Sequence, residues 1–226
     1  MQHFSFWNDY IKHSKPTVAI SACLFGEAVR YDGQAKKINT LSILKENLNL
    51  KSICPEVGAG LNTPRPPIEL VQTNDEIIAL GRDDRTLNPT QALKQFAEKS
   101  FQTLHSNIIG YIFQSRSPSC GLNSTPIRVN QETLGPCDNS TTKIGSGLQA
   151  DYFSKNAPHI IFIEDSELKT QESCLHYIFT CRLALDINTA ISNSEHEKLF
   201  QHYQPFLYSL PKTIQQRLIK GGPQRS

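Results

Sequence analysis

The clearest pattern in the chain is the alternation of short apolar runs with amphipathic stretches, and it predicts strands interleaved with helices. The predicted strands lie at 17–22, 50–53, 107–113 and 159–163. The predicted helices lie at 2–13, 40–48 and 89–105 and from residue 147 onward. This order is typical of an α/β fold, and we expect a Rossmann-like, mostly parallel sheet with flanking helices and a C-terminal helical extension.

Local signals refine this prediction. Asn88 stands where it can cap the helix at 89–105, and the polar residues 72–75 between two short apolar runs predict a hairpin. From residue 170 onward only helices are predicted, over 170–191 and again from Ser194. We therefore predict a helical lead at 1–14, an α/β domain at 15–165 and a helical extension at 166–226, which either covers the sheet or forms a homodimer contact.

Composition narrows the class of protein. The chain has 226 residues, 38% of them hydrophobic, and a formal net charge of +2. These values exclude a disordered chain and predict no strong attraction to nucleic acid or to an anionic membrane. No apolar run approaches the roughly 18–20 residues of a membrane span, and the N-terminus lacks the apolar core of a signal peptide. We expect a soluble, cytoplasmic protein.

Three of the six cysteines follow predicted strands. Cys23 follows the first strand, Cys54 the second and Cys120 the third, each with Gly or Pro close by. Because ligands bind outside the carboxyl ends of parallel strands, these three thiols could converge on one point.

Three converging thiols leave several kinds of site open. Zinc usually needs four ligands, often in CxxC pairs, and no CxxC occurs here. An iron–sulfur cluster held by three cysteines would keep one iron open to a soft donor such as sulfur. Each cysteine could also be only a small buried residue. The histidines form no HExxH pattern, and no GxGxxG or Walker loop is present, so zinc hydrolases and nucleotide-phosphate binders of those types are disfavoured.

Several sequence blocks, in order, resemble the thiouracil desulfidase (TudS) family over about residues 17–165. They are ISACLFG at 20–26, VRYDG at 29–33, CPEV at 54–57, GL at 60–61, PRPP at 64–67 and SPSCG at 117–121. The resemblance implies a [4Fe-4S] cluster bound by Cys23, Cys54 and Cys120. It also implies non-redox desulfuration of thiouracil or 4-thiouridine monophosphate, giving the oxo base and hydrogen sulfide.

The same resemblance implies roles for residues near the cysteines. Glu56 would be the base for the attacking water, and a serine beside the third cysteine would place that water, with Ser117 the first choice and Ser119 the second. The residues expected to bind substrate are Arg30, Lys36, Arg65 and Ser119. Asp32 could fix Arg30 in a turn, and the glycines before the helix at 147 could cradle a phosphate.

Other cysteines and other functions stay open at this point. Cys137 could be a fourth ligand that closes the cluster, whereas Cys174 and Cys181, seven residues apart on one helix face, suit core packing. A non-enzymatic sensor or scaffold could use the same three thiols. A metal-free cysteine enzyme would need a reactive thiolate paired with a histidine or a helix N-terminus. The sequence does not distinguish a free base from a nucleotide as the substrate, or a 2-thio from a 4-thio position on its ring.

Overall fold

The computed structural model describes residues 15–73, 76–129 and 141–189, together with the single positions 201, 204, 212, 215 and 216. Its strands are β1 Thr17–Ser21, β2 Asn49–Ile53, β3 Ile68–Gln72, β4 Ile77–Gly81, β5 Gly110–Phe113, β6 Thr125–Val129, β7 Thr141–Gly145 and β8 Ile161–Glu164. Its helices are α1 Ala22–Phe25, α2 Leu41–Asn47, α3 Pro55–Gly58, α4 Thr90–Leu104, α5 Leu148–Asn156 and α6 Gln171–Thr189, with a 3-10 turn at Asp165–Glu167. The predicted lead at 1–14, the predicted helix from Ser194 and Cys137 lie outside the described residues.

The predicted parallel sheet is confirmed. Four strands pair in the order β2-β1-β5-β8, and every pairing is parallel. The four strands correspond to those predicted at 17–22, 50–53, 107–113 and 159–163, and helices lie between them along the chain. The fold is therefore α/β, as the alternating pattern indicated.

Side-chain alternation along the strands builds a separate core on each face of this sheet. Val18 and Ile20 of β1 pack with α2 and α6, whereas Ala19 between them packs with α4 and α5. On β5, Tyr111 and Phe113 belong to this second core and Ile112 to the first. Successive residues of a strand point to opposite faces, so a short apolar run serves two helical layers.

Helix α6 covers one face of the parallel sheet. Cys174 and Cys181 are both fully buried in its contact with the sheet, as the core-packing interpretation expected. Gly110 permits the close approach, because a Cβ there would lie 2.3 Å from the Tyr177 hydroxyl. Neither this 19-residue helix nor any other helix in the described ranges is long and apolar enough to cross a membrane.

A second four-stranded sheet was not predicted from the pattern. Its order is β4-β3-β6-β7, with antiparallel β3–β4 and β6–β7 pairs around a parallel β3–β6 pair. The predicted hairpin forms β3 and β4, but β6 and β7 were missed because charged and hydroxyl residues interrupt their apolar positions. Leu93 of α4 packs against this sheet, so one helix supports both sheets.

Candidate active site

The carboxyl ends of three parallel strands bring the three cysteines to one cavity. In the register of the sheet Ser21 pairs with Ile53, and Ile20 pairs with Ile112. Cys23 stands in α1 directly after β1, Cys54 between β2 and α3, and Cys120 in the loop after β5. All three line a single cavity of about 210 Å³.

Each thiol is held by a different local structure. The Cys23 thiol faces the Gln114 Oε1 at 3.7 Å, and the Cys54 thiol faces the Val29 carbonyl at 3.9 Å. The Cys120 backbone N–H donates to the Ser117 Oγ at 3.1 Å, which fixes the loop that carries the third thiol. All three cysteines are free thiols.

Burial keeps the three thiols protonated when nothing is bound. It raises the pKa of Cys23 to about 11, and the nearby Cys54 adds to the rise while Arg30 and Lys36 oppose it. Burial also raises the pKa of Cys54, and it raises that of Cys120 well above the usual value. Reactive nucleophilic cysteines have lowered pKa values, so this environment does not suit a metal-free cysteine enzyme.

Within the described ranges, no group of three or more His, Cys, Asp or Glu side chains is arranged to hold a single metal ion. The three cysteines that line this one cavity supply the thiol ligands that an iron–sulfur cluster with one open iron would need.

Glu56 enters the cavity wall from the first turn of α3, two residues after Cys54. Its Oε2 accepts a hydrogen bond from the Arg65 Nε at 2.7 Å, and its Oε1 accepts one from the Ser119 Oγ at 3.1 Å. Arg65 also donates to the Val29 carbonyl at 2.9 Å. The carboxylate is thus held in one orientation by two partners from separate parts of the chain.

The two candidate serines have different surroundings. Ser117 lines the cavity, and its Oγ accepts the backbone N–H groups of Ser119 and Cys120 at 3.2 and 3.1 Å. Ser119 is fully buried behind the wall, with its hydroxyl on Glu56. Ser117 therefore shapes the loop of Cys120, and Ser119 orients the carboxylate.

The three predicted substrate-binding cations occupy different places. Arg30 and Arg65 line the cavity, and Asp32 accepts a hydrogen bond from the Arg30 Nε at 3.4 Å, in the turn that the sequence indicated. Lys36 is not among the residues that line this cavity, and its part in substrate binding stays a prediction. Its ammonium lies 3.0 Å from the carboxylate of Asp165, in the 3-10 turn that follows β8.

Two further arginines line the cavity and were not singled out by sequence reasoning. Arg82 follows β4 and Arg116 follows β5. Arg116 has a φ of 62°, a left-handed conformation rare outside glycine, and its N–H donates to the Ser124 Oγ at 2.8 Å. Its position just before the SPSC motif was the available signal, whereas nothing near Arg82 in sequence pointed to the site.

The helix N-terminus considered as a phosphate cradle has another role. The N–H groups of Gly147, Leu148 and Gln149 donate to the carbonyls of Gly121, Pro118 and Ser119 at 2.7, 3.1 and 2.9 Å. Those amides are therefore taken up by the chain itself. The start of α5 anchors the loop that carries Cys120, and this corrects the expectation of a phosphate site there.

Comparison with known proteins agrees with this geometry. The family model described as 2-thiouracil desulfurase matches residues 18–165. The chain belongs to the 2-thiouracil desulfurase family. A solved structure described as [4Fe-4S]-dependent thiouracil desulfidase TudS is 29% identical, with a TM-score of 0.52, and the match covers 68% of this chain and 93% of that one. The Bacillus subtilis (strain 168) protein described as uncharacterized protein YbbK is 27% identical over 109 residues, 46% of this chain and 72% of that protein.

The matched region of this 2-thiouracil desulfurase family member contains the whole thiol cavity. Cys23, Cys54, Cys120 and the Glu56–Arg65 pair all fall within residues 18–165, as do both sheets apart from Thr17 at the start of β1. Helix α6 lies beyond the matched region and supports the parallel sheet from outside it.

In this family member the thiol cavity adjoins a second one. A cavity of about 430 Å³ lies against β3 and β6 and shares Ile68, Arg82, Arg116 and Pro118 with the thiol cavity. The two arginines therefore stand at the junction between the two spaces. A ligand bound at the thiols could extend past them toward the second sheet.

Proposed function

We propose that this protein removes sulfur from a thiolated pyrimidine at a [4Fe-4S] cluster held by Cys23, Cys54 and Cys120. The thiocarbonyl and water would give the oxo base and hydrogen sulfide, with no net oxidation or reduction. The observation that carries the proposal is the single cavity that three free thiols share with the Glu56–Arg65 pair. Membership of the 2-thiouracil desulfurase family supports it.

The donor set fits the cluster. Three cysteine sulfurs line the cavity, and their raised pKa values mean that loading must displace three protons. When bound by three cysteines, a [4Fe-4S] cluster supplies one iron without a protein ligand, a Lewis acid for a soft sulfur donor.

Glu56 is the residue proposed to move the proton of the attacking water. Its carboxylate lines the cavity, and a general base must lie within hydrogen-bond reach of the water or one water away. The ion pair with Arg65 requires the carboxylate form, and the Ser119 hydroxyl fixes one of its oxygens. Ser117 is proposed to contact the water and to hold the Cys120 loop.

The size of the cavity favours a small ring. Its volume of about 210 Å³ is below the range of about 300–1,000 Å³ for pockets that enclose drug-sized ligands, which suits a single pyrimidine. Arg82 and Arg116 stand where the cavity opens toward the second space. We extend the proposal to a thiolated nucleoside monophosphate, with its phosphate directed to these arginines. Arg30 and Arg65 are proposed to lie beside the pyrimidine ring of the substrate.

The test combines metal analysis with an activity assay. The protein is purified and reconstituted anaerobically, and iron and labile sulfide are counted in wild type and in Cys23→Ala, Cys54→Ala and Cys120→Ala. Cys174→Ala is the matched control, since that thiol is also free but lies in the α6 core and does not line the cavity. Sulfide release is then measured with 2-thiouracil, 4-thiouracil and 4-thiouridine monophosphate.

We expect about four iron and four sulfide per chain in wild type and in the control, and loss of both, with loss of activity, in each cavity variant. If the protein binds a cluster but releases no sulfide from any of these compounds, the sensor or scaffold alternative would replace the proposed enzyme function. If wild type binds no cluster, the three cysteines would be only buried structural residues. Faster turnover of the free bases than of the nucleotide would overturn the phosphate assignment alone.

A further inference from the structure

Tyr31 is an exposed aromatic residue in the wall of the thiol cavity. Among the described residues that line this cavity, it is the one with an aromatic side chain, and it remains 43% exposed. The two other exposed large apolar side chains in the described part of the chain, Val57 and Ile144, do not line the cavity. The cavity proposed to hold a pyrimidine therefore has an aromatic ring in its wall that the fold leaves partly uncovered.

The backbone of Tyr31 is fixed even though its side chain is exposed. The Gly33 N–H donates to the Arg30 carbonyl at 2.9 Å, which places Tyr31 at the first of the two central positions of a β-turn. The Tyr31 carbonyl in turn accepts the Arg65 N–H at 2.9 Å. Because the Arg65 guanidinium also pairs with Glu56, the turn that carries the ring and the proposed base are tied to the same residue.

One face of the Tyr31 ring has a partner. The guanidinium carbon of Arg30 lies 5.6 Å from the ring centroid, within the reach of about 6 Å for a cation–π contact. Asp32 accepts a hydrogen bond from the Arg30 Nε at 3.4 Å, which holds this cation in place. A cation on one face leaves the other face of the ring for a second partner, and the exposed fraction shows that the described chain does not cover the ring completely.

We propose that the Tyr31 ring stacks on the pyrimidine ring of the substrate and so selects planar aromatic thiocarbonyl compounds. The inference rests on the proposed function and deepens it. The residues already proposed to contact the substrate carry charged or hydroxyl groups, which bind polar atoms at the edge of a pyrimidine, whereas Tyr31 offers an apolar surface for its face. Aromatic side chains bind bases in this way whatever the substituents of the base, because every base has a π-face. Stacking confines the ring to one plane and leaves its edge, with the sulfur, free to face the thiols.

Uracil and dihydrouracil form a matched pair of ligands for the test. They carry the same carbonyl and N–H groups, but the saturated ring of dihydrouracil is not planar and has no aromatic face. Tyr31→Leu removes the aromatic ring and keeps an apolar side chain, while Arg30 keeps its Asp32 partner. Tyr31→Phe restores the ring, and Ile144→Ala, which removes an exposed apolar side chain that does not line the cavity, is the matched control. Binding is measured by calorimetry on anaerobically reconstituted protein, and iron content and the unfolding midpoint are recorded on the same samples.

We expect wild type and Ile144→Ala to bind uracil more tightly than dihydrouracil. Tyr31→Leu should weaken uracil binding by about five- to a hundredfold, the effect of losing one stacked base, and should change dihydrouracil binding by less than about threefold. Tyr31→Phe should recover most of the lost uracil affinity. Tyr31→Leu should also raise the KM for 4-thiouracil more than it lowers kcat, since stacking acts on the bound substrate and on the transition state alike. Iron content and the unfolding midpoint should match wild type in all variants.

Two kinds of result would overturn the inference, and they have different meanings. If Tyr31→Leu has the wild-type KM for 4-thiouracil, or if it loses affinity for uracil and dihydrouracil equally, Tyr31 does not stack on the pyrimidine and the proposed function stands without it. If wild type neither binds uracil nor releases sulfide from the thiolated compounds, the proposed function fails and the role of Tyr31 fails with it.

Discussion

The Arg65 Nε donates to the Glu56 Oε2 at 2.7 Å, and the two side chains are only 6% and 12% exposed. The carboxylate follows Cys54 by two residues, and the guanidinium arrives from the PRPP segment that precedes β3. Because both side chains are largely shielded from water, they form a fixed ion pair, unlike the mobile pairs on a protein surface. It places one acid–base group on the wall that the three thiols also line.

Glu56→Gln should remove the proposed base while keeping the shape of the wall. We expect sulfide release to fall by about 10² to 10⁴-fold, the usual contribution of a positioned acid–base group, with unchanged iron content. Single-turnover sulfide release and iron analysis on the same samples check this. A variant that turns over at the wild-type rate would assign the proton transfer to another group.

Arg65→Ala should destabilise the fold more when Glu56 is present than when it is absent. Removing the guanidinium leaves a shielded carboxylate without its partner, and such losses cost about 3–5 kcal/mol. In a Glu56→Gln background the cost should shrink, with a coupling of about 1–3 kcal/mol. Denaturant unfolding of the four cluster-free proteins measures it, and strictly additive effects would contradict a direct interaction.

Ser117→Ala and Ser119→Ala should have separable effects. Ser117 accepts two backbone N–H groups in the Cys120 loop, so its loss should cost about 1–3 kcal/mol and lower the iron content. Ser119 donates to Glu56, so its loss should preserve the iron and slow turnover by about tenfold to a hundredfold. Iron counts and turnover rates decide between these roles, and equal losses of iron in both variants would contradict the assignment.

Gly147→Ala should disturb the Cys120 loop through a steric clash. A Cβ there would lie 2.6 Å from the Ser119 carbonyl carbon, a backbone atom, although the φ of −68° is open to any residue. We expect a cost of about 1–3 kcal/mol and reduced iron content. Gly145→Ala is the matched control, because its Cβ would meet the terminal methyl group of the Ile127 side chain rather than a backbone atom. Equal stability and iron content in the two variants would show that the loop tolerates the added methyl group.

Asp165 should give the folded protein an acid-sensitive contribution to stability. Burial works to raise the pKa of this carboxyl, but the Ser115 N–H and the Lys36 ammonium outweigh it, and the net pKa is lowered. A lowered folded-state pKa means that the contribution is complete above the unfolded value of about 3.9 and is lost as the pH falls through the folded value. Asp165→Asn should therefore be less stable than wild type at pH 7, with the difference shrinking below about pH 4. Chemical unfolding across pH 3–7 measures it, and a difference that stays constant over this range would exclude the linkage.

Much of the fold follows from local sequence. Apolar runs of four to seven residues between helical stretches predicted the parallel strands, because a strand buried on both faces needs apolar residues at successive positions. The Asn88 side chain accepts the Thr90 N–H at 3.2 Å, but α4 begins at Thr90 with Pro89 as its N-cap residue, so the predicted cap lies one residue before the observed one. Strands β6 and β7 were not predicted. β6, which carries Arg128, is partly exposed, and its sequence shows little regular alternation of apolar and polar residues.

For the site, the sequence by itself determined which residues follow the strands. Cys23, Cys54 and Cys120 each come after a predicted strand, and parallel pairing then brings them to one edge. Only the tertiary structure decided the partners of each side chain. Lys36 pairs with Asp165, the α5 amides hold the Cys120 loop, and Arg82 reaches the cavity from the second sheet. Local pattern fixes where a strand ends, but contacts between distant segments depend on packing, which no run of neighbouring residues encodes.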